Sequence, residues 1–244
     1  MSQPQHVERQ NLILASLTKG NYAALEPHLE TVEMTQRTVL YEVGATIRHV
    51  YFPRTALISL VGSTAEGQGT EVGMIGADGF CGIPVMFGGT SQQFEATVQI
   101  TGTVDKMPVY LLDERNGKTP LSDVLRRHAL IQLNQITQSA ICNRFHTLTQ
   151  RLCRWLLTAA DRTESDALEL TQEYLSQMIG ARRSALAYVV GRLQRKGLIR
   201  CQRNCIRVVH RQGLETLACE CYGVVRSDID AFLRGLPSHR AKPS

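Results

Sequence analysis

No run of 18 or more apolar residues occurs anywhere in the 244-residue chain, which excludes a membrane-spanning helix. The opening residues Met1-Ser2-Gln3-Pro4-Gln5 lack a basic segment leading into an apolar one. No secretory signal is read there, and a cytoplasmic location is expected. The seven cysteines, Cys81, Cys142, Cys153, Cys201, Cys205, Cys219 and Cys221, are odd in number, and in a cytosolic chain they argue against a disulfide framework. There is no phosphate-binding loop, nucleophile elbow or zinc-protease helix, and Asp78 has no partner carboxylate at a recognisable spacing. An enzyme is therefore not expected. Two local absences are more telling. Glycine is missing between Gly117 and Gly180, and acidic residues are missing throughout residues 182–211.

That second gap contains nine Lys and Arg residues, so it concentrates a mild overall charge of +5. Residues 1–144 hold 11 basic and 13 acidic side chains, whereas residues 145–244 hold 16 and 9. A basic C-terminal portion beside a slightly acidic N-terminal one suggests a polyanionic partner, with DNA or RNA leading.

The pattern along the chain fits more than one unit. Residues 11–17 and 22–29 read as short helices. From Thr31 to about Tyr110 short β-rich runs follow at 39–41, 49–52, 56–61, 70–75 and 96–104, separated by turn signals such as Gly44, Pro53 and Gly76-Ala77-Asp78-Gly79. This spacing predicts an antiparallel barrel or sandwich. Thr119-Pro120 then offers a capping hydroxyl and a proline at the first helical position. Leu121, Val124, Leu125, Ile131, Leu133, Ile136, Ala140 and Ile141 recur at helical spacing behind it. A helix of that length between two domains is read as a dimerisation helix. A second helix over 145–160 carries Leu148, Leu152, Trp155 and Leu156 on one face.

The most specific pattern lies in residues 168–211. Thr171 is an N-cap candidate for a short helix from Gln172 to Met178. Gly180 falls where a tight turn needs a left-handed backbone. A second helix over 182–196 buries Leu186, Val189, Val190 and Leu193 and leaves Arg182, Arg183, Ser184, Tyr188, Arg192 and Arg195 outward or sideways. Donors at the start of such a helix suit the edges of bases in a major groove. Gly197 stops the helix, and 198–201 with 205–209 form a hairpin whose tip places Arg203 near phosphate or the minor groove. The expected DNA-contacting set is Thr171, Gln172, Arg182, Arg183, Ser184, Tyr188, Arg192 and Arg203.

These residues resemble the Crp/Fnr superfamily of bacterial regulators. The resemblance covers nearly the whole chain. It is strongest over 151–222, through Arg151-Leu152-Cys153-Arg154-Trp155-Leu156-Leu157, Leu170-Thr171-Gln172-Glu173, Met178-Ile179-Gly180 and Gly197-Leu198-Ile199. Val50-Tyr51-Phe52-Pro53, Glu71 to Gly76 and Cys219-Glu220-Cys221-Tyr222 look like a divergent branch of it. The resemblance implies an α+β architecture: a cyclic-nucleotide-binding-like β-roll (1–118), a dimerisation helix (119–144), a winged helix-turn-helix (145–222) and a C-terminal helix and tail (223–244). It further implies a homodimer on palindromic promoter sites in double-stranded DNA, with RNA polymerase and an unidentified small-molecule effector as further partners and no membrane association. The family's reading arginine falls on Arg183. Its neighbouring glutamate falls on Ser184 and its second arginine on Tyr188, so the usual half-site preference does not carry over.

The nucleotide pocket of the family maps to Gly79, Phe80, Gly82, Ile83, Phe94 and Glu95. Ile83 stands for the ribose-binding glutamate. Phe94 stands near the phosphate arginine and Glu95 near the serine. A carboxylate facing phosphate repels it, so cyclic AMP is not expected as the ligand. Iron–sulfur members carry cysteines near the N-terminus, and none precedes Cys81 here. His49 and His128 are haem-ligand candidates by residue type alone. Cys201, Cys205, Cys219 and Cys221 lack a His pair at matching spacing, so no metal site and no cofactor are assigned. Arg200, Arg203 and Arg207 make a redox-active thiol near DNA conceivable. The alternative reading is a redox- or small-ligand-sensing module whose winged helix contacts protein.

Overall fold

The computed structural model describes residues 10–112 and 119–236; the expected domain boundary at 118 and the end of the expected tail lie outside these residues. Asn11 anchors the described N-terminus. Its Oδ1 caps α1 (Leu12–Ala15), accepting from the Ile13 and Leu14 amides. Its buried Nδ2 donates to the Pro53 carbonyl at 2.9 Å and the Gly79 carbonyl at 2.8 Å. α2 (Lys19–Leu25) follows, with a 3-10 turn at Glu26–His28.

The β-roll then forms as two antiparallel sheets. One orders β1 (Glu30–Met34), β7 (Gly102–Pro108) and β3 (His49–Pro53). The other orders β2 (Val39–Tyr41), β6 (Glu95–Ile100), β4 (Leu57–Ser63) and β5 (Gly69–Ile75). Two features depart from the sequence reading. β1 lies outside the expected runs, because Glu30 and Glu33 interrupt its apolar pattern. The single strand expected over 96–104 is two strands, one in each sheet.

α3 (Pro120–Phe145) starts as the sequence predicts, with Thr119 and Ser122 closing a reciprocal capping box. Its inner face packs on the roll. His128 sits between Phe80 (5.3 Å between ring centroids) and Phe232 (5.6 Å). Burial holds its pKa down to about 4, so it is a neutral core group. That environment gives His128 no open side for a haem.

α4 spans Leu148–Thr163, three residues later than expected, because Thr147 caps it and forms a second capping box with Gln150. Phe145 consequently ends α3, and its side chain is 73% exposed. Leu152, Trp155 and Leu156 of α4 are fully or almost fully buried, each contributing roughly 1.5–3 kcal/mol of transfer free energy. They share one core with Leu57, Met74 and Ile100 of the roll.

Polar clamps tie α4 to the roll. Arg162 pairs with Asp78 at 3.2 Å and also donates to the Met74 carbonyl. The Trp155 indole N–H donates to Glu71 Oε1 at 3.0 Å. On the opposite side of Glu71, the Ser59 hydroxyl faces both Glu71 Oε2 (2.6 Å) and Gln99 Oε1. One hydroxyl proton cannot serve two acceptors equally. A protonated Glu71 resolves the conflict by donating to Ser59.

Burial is the dominant cause that raises the Glu71 pKa from 4.5 to about 7, against smaller opposing contributions from Ser59, Arg154 and Trp155. The folded-state pKa is raised, so this group's contribution is full below about pH 4.5 and is lost as pH rises through 7. Chemical denaturation at about pH 5 and about pH 8 should show a stability loss on the order of 2 kcal/mol from this group. Glu71→Gln should remove that part of the difference. An unchanged pH dependence in the variant would show that Glu71 is ionised throughout.

Candidate nucleic-acid interface

The C-terminal unit is built on the apolar face of α4. Leu168 in β8 (Ala167–Leu168) and Leu170 are buried against it, and Thr171 then turns the chain into α5. The Thr171 hydroxyl accepts from the Tyr174 amide at 3.1 Å, as its N-cap position predicts. α5 (Gln172–Ile179) buries Leu175 and Ile179. Gly180 ends it at φ +62°, a backbone region that strains any side-chain-bearing residue. α6 (Arg183–Arg195) then crosses with Leu186, Val189, Val190 and Leu193 buried.

With that face inward, Arg182, Arg183, Ser184, Tyr188 and Arg192 lie on the outer side, and all five are exposed, Tyr188 at 64%. Arg182 is the N-cap rather than a helical residue, and its side chain caps nothing. The first-turn amides of α6 therefore add a positive helix end to the cationic side chains. The Arg183 guanidinium is 67% exposed and pairs with Glu173 Oε2 of α5 at 2.5 Å. Sequence reading missed this pair, although the Glu173 position was visible two residues past the cap. Arg192 stacks over the Tyr188 ring, 5.9 Å from its centroid. β9 (Ile199–Gln202) and β10 (Cys205–Val208) pair in register, with Arg203 and Asn204 as the two-residue tip. β10 also pairs with β8, so the wing is the outer part of a three-stranded sheet. Arg203 is exposed, and Gln172 flanks the same helix pair at the surface.

The candidate effector residues are not gathered around one space. Phe80 is fully buried, stacked on Phe52 at 6.0 Å. A Cβ added at Gly79 would stand 2.3 Å from His128 Nε2, so that glycine permits close packing of the roll on α3. Ile83 begins a 3-10 helix, Ile83–Phe87, with Gly82 before it, and Phe94 packs on the roll core. Of the six, Glu95 lines a cavity of about 350 Å³ between the roll and α5, together with Arg37, Thr97, Tyr174 and Gln177. A second cleft of about 270 Å³ lies between α4 and α8 (Cys221–Arg234), bordered by Asp161, Arg162 and Tyr222.

The cysteines of the C-terminal unit fall into two groups. Cys201 and Cys205 are half-buried in the wing, and burial pushes the Cys201 thiol up, the wrong direction for a reactive thiolate. Cys219 and Cys221 lie beyond the wing. They follow α7 (Arg211–Leu217) and meet Cys142 and His146 at the end of α3. The C-terminal helix α8 begins at Cys221, two residues before the expected boundary, and packs back along α3.

Residues 150–217 match the family model described as the Crp-like helix-turn-helix domain. Among solved structures, a CRP-family transcriptional regulator of Thermus thermophilus superposes with a TM-score of 0.66 at 17% identity, over 77% of this chain and 96% of its own. FixK2 of Bradyrhizobium japonicum gives a TM-score of 0.64 at 14% identity, over 78% and 98%. The c-di-GMP-responsive global regulator CLP of Xanthomonas campestris gives 0.61 at 17% identity, over 78% and 99%. No curated protein matches the chain in sequence. The helix pair and hairpin thus match a Crp-like helix-turn-helix domain, and the chain shares the fold of the Crp/Fnr regulators it superposes on.

Proposed function

We propose that this protein is a homodimeric, sequence-specific DNA-binding transcriptional regulator whose α6 enters the major groove while its wing contacts the backbone. The observation that carries this reading is the exposed basic surface formed by α6 and the wing, two elements that themselves contain no acidic residue, displayed on a Crp-like helix-turn-helix. Arg183 and Ser184 lie in the first helical turn, where a recognition helix reaches base edges. Arg182 and Arg203 flank them as phosphate contacts, with Thr171 and Gln172 at the start of α5 touching the opposite backbone. Tyr188 and Arg192 extend the reading face by another turn.

Dimerisation is supported by the outer face of α3, where Leu130, Leu133, Ile141 and Phe145 are exposed along one stripe. These positions are 3, 8 and 4 residues apart, close to whole numbers of helical turns. An apolar stripe of this kind calls for a partner surface. The β-roll is read as not responding to cyclic AMP, because Ile83, Phe94 and Glu95 stand where an anion-binding set would be needed and Glu95 borders the cavity beside α5.

The test is the salt dependence of binding to a selected site. The log of the affinity should fall linearly with log salt, with a slope near about −0.9 per neutralised phosphate. Arg203→Ala should weaken cognate and random duplex alike and shrink that slope by about 1 for each subunit bound. A loss confined to the cognate site would place Arg203 on a base instead. A protein that ignores both DNA and heparin at low salt would overturn the reading.

A further inference from the structure

The side chains of Cys142, His146, Cys219 and Cys221 converge so that all four ligand atoms lie within 4.8 Å of one another. Cys142 and His146 are four residues apart at the C-terminal end of α3, hence on one helix face. Cys219 lies in the short link between α7 and α8, and Cys221 is the first residue of α8. The three thiols are buried, and the imidazole is mostly so.

The spacings are those of a tetrahedral zinc shell. Zn–S bonds near about 2.3 Å put sulfurs about 3.8 Å apart, and a Zn–N bond near about 2.0 Å puts nitrogen about 3.5 Å from sulfur. Cys142 Sγ and Cys219 Sγ stand 3.6 Å apart, and Cys221 Sγ and His146 Nδ1 stand 3.4 Å apart. The outer groups fit as well. His146 Nε2 lies 3.1 Å from Glu220 Oε1, the carboxylate–imidazole arrangement that fixes a ligating histidine on its other nitrogen. Gln138 Nε2 donates to Cys221 Sγ at 3.0 Å, as a donor beside a thiolate should. A plain thiol packing cluster would need neither the inward-facing imidazole nor its carboxylate partner.

We infer that Cys142, His146, Cys219 and Cys221 form a structural zinc site that staples the end of the long helix to the segment leading into α8. Soft thiolates with one imidazole, four ligands and a buried position select Zn²⁺ and leave no coordination position for a substrate. Binding releases the thiol protons to solvent, with no change of redox state. His146 is also the C-cap of α3, one residue before the cap of α4, so the site sits at the joint between the long helix and the helix-turn-helix unit. This inference stands whether or not the protein binds DNA.

The test uses the full chain, purified reduced from zinc-replete cells without strong chelator. Elemental analysis should find close to one zinc per chain. Cobalt(II) added to the stripped protein should give thiolate-to-cobalt charge transfer in the near ultraviolet and strong tetrahedral bands in the red. Cys219→Ser should lose the zinc, and Cys205→Ser, in the wing, should keep it. If Cys219→Ser does not fold, the cobalt spectrum of the unaltered protein still decides. Folded, reduced protein with neither zinc nor the cobalt spectrum overturns the inference. So does zinc that Cys219→Ser retains at full stoichiometry, or a Cys142–Cys219 disulfide in protein isolated from a reducing cytosol.

Discussion

Leu133→Glu is expected to turn the protein into a monomer and to lower its affinity for a two-half-site DNA by about 10²- to 10⁴-fold. The side chain is 58% exposed in the single subunit, so the substitution should leave the fold of that subunit intact. In a two-fold dimer through α3 the same position recurs in both copies, and two carboxylates would enter an apolar seam beside Leu130 and Ile141. Burying unpaired like charges costs several kcal/mol, more than such a seam can offset. The DNA effect follows from lost bivalency, because the second half-site no longer binds as an intramolecular event. Light scattering gives the mass, circular dichroism the fold, and anisotropy on a palindrome the affinity. A variant that keeps the dimer mass would move the interface away from α3.

The second large effect falls on Arg183. Its exposed guanidinium stands in the first turn of α6, held toward α5 by Glu173. If it forms a bidentate contact to guanine, Arg183→Ala should cost about 1–3 kcal/mol per half-site at a cognate sequence and relax preference at one base position. The loss on random duplex should be much smaller, because a single phosphate contact is screened by salt. Thermal stability should barely change, since the Glu173 pair is open to solvent on both sides. Equal losses on cognate and random DNA would assign Arg183 to the backbone alone.

The local signals were the legible part of this chain. Thr119, Thr171, Gly180 and Gly197 mark helix starts and stops through caps and left-handed turns that depend on a few neighbouring residues. The four apolar positions read as the inner face of α6 are all buried. What escaped depends on distant partners. β1 forms only because β7 offers it a ladder far along the chain, with Met34 set opposite Gly102. Arg162 and Asp78, and Trp155 and Glu71, are each 84 residues apart, so no periodicity links them. The Cys142–Cys219 contact spans 77 residues, and spacing rules that look for a local His pair pass over it. A cysteine and a histidine four apart on α3, set beside the Cys-x-Cys at 219–221, was the available signal.

Selection of genomic DNA fragments by the purified protein tests the central claim most directly. The account predicts that retained fragments share an inverted repeat with half-sites about 10–10.5 base pairs apart, centre to centre, or a multiple of that, and are released as salt rises. Folded protein that enriches no sequence at low salt, or retains every fragment equally, would contradict it.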